Sequence, residues 1–486
     1  MNISVIGSGF AGLSAAAYLA KEGHSVTILE KNNSVGGRAS VYKQNGFLFD
    51  MGPSWYWMPE VFEKFFKDHG SEVSKHYDLV RLDPSYQVFF EDDTIQIPTN
   101  YESLLKLFDK FEKGGAVKLD TFLRSAERKY HAAMQGPILL PGLKLRELIK
   151  PSIVKSALHL SLTRSFSGYV RKQFKNPKLQ QLLEFPILFL GSSPNKIPAL
   201  YSMLNYADLK LGTWYPMGGM NKIIEGFERI LKSYYVDIRT SSAVESFNIS
   251  SGSVRSLNFN SSSLETDMVV AGADYHHVEQ NLLPGELRQY SETYWNNREM
   301  APSAILMFLG VEGEIPGLLH HNLFFDASYE DHLEAINKTK EWPENPLFYV
   351  SNPSKTDPSV APQGNENLFV LIPTAPGLMS GADDLKEFYL NNVIQRLKKQ
   401  TGVDITNRIV VKKFFMPGDF KNRYNAFKGN AYGLANTLNQ THFLKPRMKH
   451  NKIENLYYTG QLTVPGPGVP PSIISGEIVA SLINKN

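Results

Sequence analysis

Cysteine is absent from the 486 residues. That excludes disulfides, thiolate-ligated metals, iron–sulfur clusters and any cofactor tethered through cysteine, and it suits a reducing compartment. Long apolar runs are also missing. The longest uncharged stretch, 455–476, contains Pro465, Pro467, Pro470 and Pro471 among repeated glycines, so it cannot form a spanning helix. Charge imbalance is small: a net +3 at pH 7 does not read as a nucleic-acid binder. A zinc-binding H-E-x-x-H pattern, internal repeats and low-complexity tracts are likewise missing. A first strand beginning at Asn2 leaves no room for a cleavable secretory signal before it. The N-x-S/T triplets, Asn248 among them, then read as chance, and the expected location is cytoplasmic.

What is present is ordinary globular composition, 42% hydrophobic and 20% charged, in a chain too long for one core. "MNISVIGSGFAGLSAAAYLAKEGHSVTILE" predicts strands near 2–6 and 25–29 with a small-residue helix near 11–22, one parallel βαβ unit. "FLFDMGPSWYWMPE" predicts a strand running into an aromatic loop. From about 80 to 215 the pattern is mostly helical. A helix near 220–233 then leads into three short β-type segments, "YVDIRT", "AVESFNI" and "SVRSLNF", and "DMVVAGAD" reads as a buried strand. Apolar runs between 303 and 374 predict a second, largely buried sheet. The end of the chain predicts a strand, a Gly/Pro turn and a helix.

Gly7-Ser8-Gly9-Phe10-Ala11-Gly12 matches G-x-G-x-x-G between a strand and a helix. Gly7 permits the tight turn, Gly9 lets a pyrophosphate reach the backbone, and Gly12 lets helix and strand touch. The helix start near Ala11 offers free N–H groups and the positive end of its dipole. Glu30 stands 23 residues after Gly7, where a carboxylate can accept from ribose hydroxyls. These residues point to a dinucleotide.

The same strand runs on into "ILEKNNSVGGR". Gly36 and Gly37 make a second close-approach turn, and Arg38 offers a fork for phosphate oxygens. A plain NAD domain has no need of this second grip; the pattern resembles the GR2 type of flavoprotein, which binds FAD. "YYTGQLTVPGPGVPPSIISGE" resembles that type's C-terminal flavin segment. There Pro470 and Pro471 fit a first helical turn, whose positive end favours the negative charge of reduced flavin.

On these blocks, with "FDMGPSW", "YPMGGM" and "VVAGAD", the whole chain resembles the bacterial carotenoid desaturases, the phytoene desaturase family within the flavin amine oxidase superfamily. The resemblance implies an α/β fold: a Rossmann-like FAD-binding domain assembled from 1–80, 216–290 and 446–486, a helical membrane-facing region at 81–215, and an inserted substrate-domain sheet at 291–445. It also implies a cofactor set. Gly7, Gly9, Phe10, Ala11, Gly12, Glu30, Lys31, Gly36, Gly37 and Arg38 would hold the ADP half, with the Val244 backbone at the adenine. Gly52, Pro53, Ser54, Gly218, Gly219, Met220, Gly460, Gln461, Val469 and Pro470 would surround the flavin. Gln461 and Leu462 depart from the family, which often has small residues there, and the "SWYWM" loop is unusually aromatic.

The implied activity is FAD-dependent desaturation of an acyclic C40 carotenoid. Two subtypes are open, multi-step phytoene desaturation and 1-hydroxycarotenoid 3,4-desaturation, with a slight lean to the second. Tyr56 and Trp57 are candidate substrate contacts. No catalytic acid or base stands out. The adjacent pairs His276–His277 and His320–His321 would face opposite ways on a strand, and Asp50 reads as a carboxylate capping the Gly52-Pro53 turn. Segment 144–175 carries eight basic residues and one acid; its +7 against a whole-chain +3 leaves the remainder at −4. With Leu158, Leu160, Leu162 and Phe166 among those charges, it is expected to dock on anionic lipid as a peripheral element. The alternatives are an amine or protoporphyrinogen oxidase of the same superfamily, and a non-enzymatic lipid carrier of the same fold. The reoxidant and the oligomeric state are open.

Overall fold

A computed structural model describes residues 1–143, 164–188, 190–379 and 383–485. The first strand, β1 (Asn2–Ile6), is buried after its first residue, and helix α1 (Phe10–Lys21) follows it tightly because its core-facing side chains are mostly alanine and glycine. Strand β2 (Ser25–Leu29) then pairs with β1 in parallel. The finished sheet has the order Leu456–Tyr458, Met268–Ala271, β1, β2, Asp237–Arg239, parallel throughout. One sheet thus takes strands from the beginning, middle and end of the chain.

The three β-type segments expected after residue 233 separate. Helix Asn221–Ser233 returns the chain beside β2, so Asp237–Arg239 completes the parallel edge. Val244–Ser250 and Ser253–Phe259 instead form an antiparallel sheet with Ser262–Glu265. Ser251 and Gly252, both at positive φ, close that hairpin.

Helix Val469–Asn484 lies across α1. A Cβ on Gly476 would stand 2.6 Å from the Ala15 nitrogen and 2.7 Å from the Ala11 oxygen, so only a glycine allows this crossing. The Ser14 hydroxyl donates to the Ile473 carbonyl at 2.8 Å and sets the register. Both ends of the chain therefore meet at the first glycine turn.

The second sheet has seven strands in the order Ile409–Phe415, Ser303–Val311, Glu366–Thr374, Phe348–Ser351, His321–Phe325, Tyr86–Phe90, Thr94–Ile97. Ser303–Val311 and His321–Phe325 are buried at every residue, which is why they read as continuous apolar runs. The stretch from 80 to 215, expected to be mostly helical, opens with two strands of this sheet, Tyr86–Phe90 and Thr94–Ile97. Helices Tyr101–Phe111, Gly115–Met134, Phe166–Gln173 and Pro177–Leu188 follow.

Most of the basic segment, 144–163, lies outside the described residues. Two of its later residues correct the expectation for them. Phe166, assigned to the lipid side, is fully buried in the core beneath the second sheet. Arg171 reaches Glu184, itself 2% exposed, at 3.4 Å. No helix among the described residues is long and apolar enough to cross a membrane.

Candidate active site

The two glycine turns are one construction. Gly7, at φ +91°, donates to the Leu29 carbonyl, and a Cβ on Gly12 would sit 2.0 Å from the Gly7 oxygen. Gly36 N–H donates to the Ser8 carbonyl at 3.0 Å, and a Cβ on Gly37 would come within 3.2 Å of the Gly9 Cα. The second pair is glycine because it packs onto the first turn. Gly9 itself faces open space, with nothing within 4 Å of an added Cβ. Helix α1 has no side-chain cap and no acid in its first turn, so its first N–H groups stay available to an anion.

Glu30, 4% exposed, accepts four hydrogen bonds. Ser8 N and Oγ donate to one oxygen and Asn32 N and Nδ2 to the other, each at 2.8 Å. These fill the roughly four lone-pair sites of a carboxylate. A ribose hydroxyl reaches Glu30 only by replacing a side-chain donor, Ser8 Oγ or Asn32 Nδ2. The carboxylate therefore holds the turn together as well as facing a ligand.

Arg38 is buried, which lowers its pKa while nearby Asp274 opposes the shift. One of its terminal nitrogens donates to the Asn430 carbonyl at 3.3 Å, and the Gln461 amide oxygen, turned to satisfy both groups, accepts at 3.0 Å. Three polar atoms nearby have no partner among the described residues: Arg38 Nε, Arg423 Nε and Tyr424 Oη. Arg423 and Tyr424 end helix Pro417–Tyr424, and nothing in the sequence had marked them. The same region is stitched to the acidic loop, where Lys31 Nζ donates to Asn422 O at 2.6 Å and to Asn425 Oδ1 at 2.8 Å.

These groups border a cavity of about 930 Å³. Gly7, Gly9, Phe10, Ala11, Glu30, Lys31, Gly36, Gly37, Arg38 and Val244 line one part of it. Gly52, Pro53, Ser54, Trp57, Gly460, Gln461, Val469 and Pro470 also line it. The cavity continues into an apolar slot walled by Trp55, Phe185, Leu323, Leu347 and Leu371. Trp57 is held by its indole N–H, which donates to Thr213 Oγ1 at 2.9 Å.

Five of the singled-out residues are not in the wall. Gly12 serves the helix–strand contact described above. Tyr56 is fully buried; its hydroxyl meets that of Tyr77 at 3.0 Å and its ring stacks on Phe62, so it packs rather than faces a ligand. Gly218, Gly219 and Met220 form a loop over two carboxylates. Gly218 N–H donates to Asp357 and Met220 N–H to Asp50, while Gly219 passes where a Cβ would stand 2.9 Å from Asp50. Asp50 thus caps the start of helix Asn221–Ser233 instead of the Gly52-Pro53 turn, and burial raises its pKa to about 7.

The histidine pairs also differ from expectation. His276 and His277 lie on a helical turn capped by Asp274, and the His320 and His321 rings sit 4.5 Å apart, both kept neutral by burial. No metal-binding cluster occurs among the described residues. Free helix N–H groups, unpaired guanidinium nitrogens, an open cradle at Gly9 and an apolar slot beyond together fit a dinucleotide carrying a flat ring.

The model of the flavin containing amine oxidoreductases matches residues 10–484. The chain belongs to this family. As a flavin containing amine oxidoreductase relative it is an oxidoreductase, and its cofactor is FAD. It is 41% identical to the carotenoid 3,4-desaturase of Haloarcula japonica across 99% of this chain and 98% of the relative. It is 30% identical to a 4,4'-diapophytoene desaturase of Staphylococcus haemolyticus, again over 99% and 98%. Among solved structures it matches an oxidoreductase of Methanosarcina mazei (16% identity, TM-score 0.64, all of both chains). It also matches the cyclohexylamine oxidase of Brevibacterium oxydans (13% identity, TM-score 0.61, 100% and 98% covered). At those identities the structures speak for the family's fold alone.

Proposed function

We propose that this flavoprotein desaturates an acyclic C40 carotenoid. The observation that carries the reading is the single cavity joining the dinucleotide turn to the slot of Trp55, Phe185, Leu323, Leu347 and Leu371, in a chain alike over its whole length to a carotenoid 3,4-desaturase. The lean is to 3,4-desaturation of a 1-hydroxycarotenoid, with phytoene desaturation second.

The reaction removes two hydrogens from neighbouring carbons, and bound FAD supplies the acceptor for their electron pair. The protein's part is placement and exclusion of water. Gly7, Gly9, Phe10, Ala11, Glu30, Lys31, the 36–38 turn and the Val244 backbone would hold the ADP half. The 52–54 turn, Gly460, Gln461, Val469 and Pro470 surround the ring system. The uncapped start of helix Val469–Asn484, without an acid in its first turn, points a positive dipole end at that region. The aromatic slot holds the polyene against the ring and keeps water out. The domain division given above is part of this proposal, and so is peripheral membrane docking through 144–163, which suits a water-insoluble substrate.

An amine substrate needs an aromatic cage or an anionic pocket. Of the two carboxylates in the wall, Glu30 is filled by Ser8 and Asn32, while Asp274 accepts from the His277 and Phe427 backbones. The intact glycine turns and the unpaired Arg38 Nε speak against a flavin-free lipid carrier. The test is expression in hosts accumulating phytoene or hydroxylated lycopene. Extracted pigments should carry new double bonds whose number and position assign the subtype; unchanged pigments with a flavin-loaded protein would refute the reading.

A further inference from the structure

One face of the apolar slot is polar. Helix Tyr329–Glu334 widens into a π-helical turn, Ala335–Thr339, and His332, Leu333, Ile336 and Asn337 all line the cavity from it. The surrounding wall is Phe325 and Leu347, so two polar side chains sit in an otherwise greasy environment.

His332 is 3% exposed. Leu347 N–H donates to its Nδ1 at 3.0 Å. A ring nitrogen that accepts carries no proton, so the proton of the neutral imidazole is on Nε2. Burial and the neighbouring Arg396 guanidinium bring the pKa down to about 3, which keeps the ring neutral at physiological pH. Arg396 is itself engaged by Asp326. Nε2–H finds no acceptor among the described residues. Asn337 is its complement: Nδ2 donates to the Leu333 carbonyl at 2.9 Å, which leaves Oδ1 as an acceptor. Both residues line the same cavity from this one widened helix.

We propose that His332 and Asn337 read a hydroxyl group near one end of the polyene, Nε2–H donating to its oxygen and Asn337 Oδ1 accepting its hydrogen. A hydrocarbon would leave both unmet, and buried unmet donors are what discriminate against a missing hydroxyl. Leu347 directly precedes strand Phe348–Ser351, two residues before Tyr349, and Tyr349 bonds with Ser54 of the 52–54 turn. The hydroxyl reader thus stands beyond the reacting region, where the end of the chain would lie. This inference rests on the desaturase reading and names its substrate class.

The test titrates FAD-loaded protein with lycopene and with 1-hydroxylated lycopene, and assays desaturation of both. The wild type should bind the hydroxylated polyene about tenfold tighter or better, and His332→Leu should collapse that ratio towards unity with FAD content unchanged. His332→Gln, which keeps an acceptor for Leu347 and an N–H donor, should retain most of the preference. Asn337→Leu, at a half-buried site, should lower it without touching the Leu347 bond. Equal binding of the two by wild type, or an unchanged ratio in both leucine variants, overturns the proposal. Desaturation of neither carotenoid would instead sink the desaturase reading, while the binding ratio still decides the hydroxyl site.

Discussion

Removing the Glu30 carboxylate should weaken the protein even before FAD is added. In Glu30→Ala, Ser8 N–H and Oγ–H lose their acceptor inside a site where Ser8 is fully buried. Two orphaned buried donors at about 1–3 kcal/mol each give a loss of about 2–6 kcal/mol. The Asn32 donors are half-buried and resolvate at little cost. Glu30→Gln should fall between, because its one carbonyl oxygen can still serve Ser8. Thermal and urea denaturation of FAD-free protein should rank wild type above Gln above Ala, with Ala melting roughly 2–6 °C low. FAD titration by flavin fluorescence should show weaker binding for both variants. If FAD-free Glu30→Ala melts with the wild type, the carboxylate does not hold the turn, and only a ligand role is left for it.

Gly476→Ala places a methyl 2.6 Å from Ala15 N, so it should part the two terminal helices and lower FAD affinity about tenfold or more; wild-type affinity would contradict the close crossing. Asp50 and Asp208 are buried acids with pKa values raised to about 7. From about pH 4 to 7 such groups bind protons folded that they release unfolded, so stability should fall as pH rises through that window. Asp208→Asn should flatten this fall in urea midpoints taken between pH 4.5 and 7.5, and an unaltered slope would count against it. Co-sedimentation with anionic lipid vesicles should weaken when Lys150, Lys155 and Arg164 are neutralised together; Arg171 is left alone because it serves Glu184. Unchanged sedimentation removes the docking assignment.

The local signals were legible. Gly7 to Gly12, Glu30 and the Gly36–Gly37 pair all lie within the first 37 residues; Gly7, Gly12, Gly36 and Gly37 report backbone constraints that a side chain would violate, and Glu30 marks the end of β2. The C-terminal segment was legible because prolines and glycines mark a turn before a helix. Contacts made at long range were not. Arg423 and Tyr424 reach the cavity on a helix almost 400 residues after Arg38, and nothing in "FKNRYNAF" announces a ligand. Tyr86–Phe90 and Thr94–Ile97 pair with each other as a local hairpin, but the sheet that hairpin joins is supplied by His321–Phe325, more than 200 residues on. Tyr56 and Trp57 are neighbours on one loop, and only the fold decides which faces the cavity. Asp50 was placed on the nearest turn, whereas its partners arrive from residues 220 and 221.

The Ser14 hydroxyl and the Ile473 carbonyl that receives its bond are separated by 459 positions. During synthesis the alanine-rich side of α1 leaves the ribosome long before the helix that shields it exists. The neighbour of β1 from 268–271 arrives midway through the chain, but until the last helix is made the cradle for the coenzyme has no far wall. Capture of the coenzyme is therefore a closing event, and any stall in translation short of that last helix would release a chain with a bare apolar flank, the kind of surface that chaperones and proteases recognise.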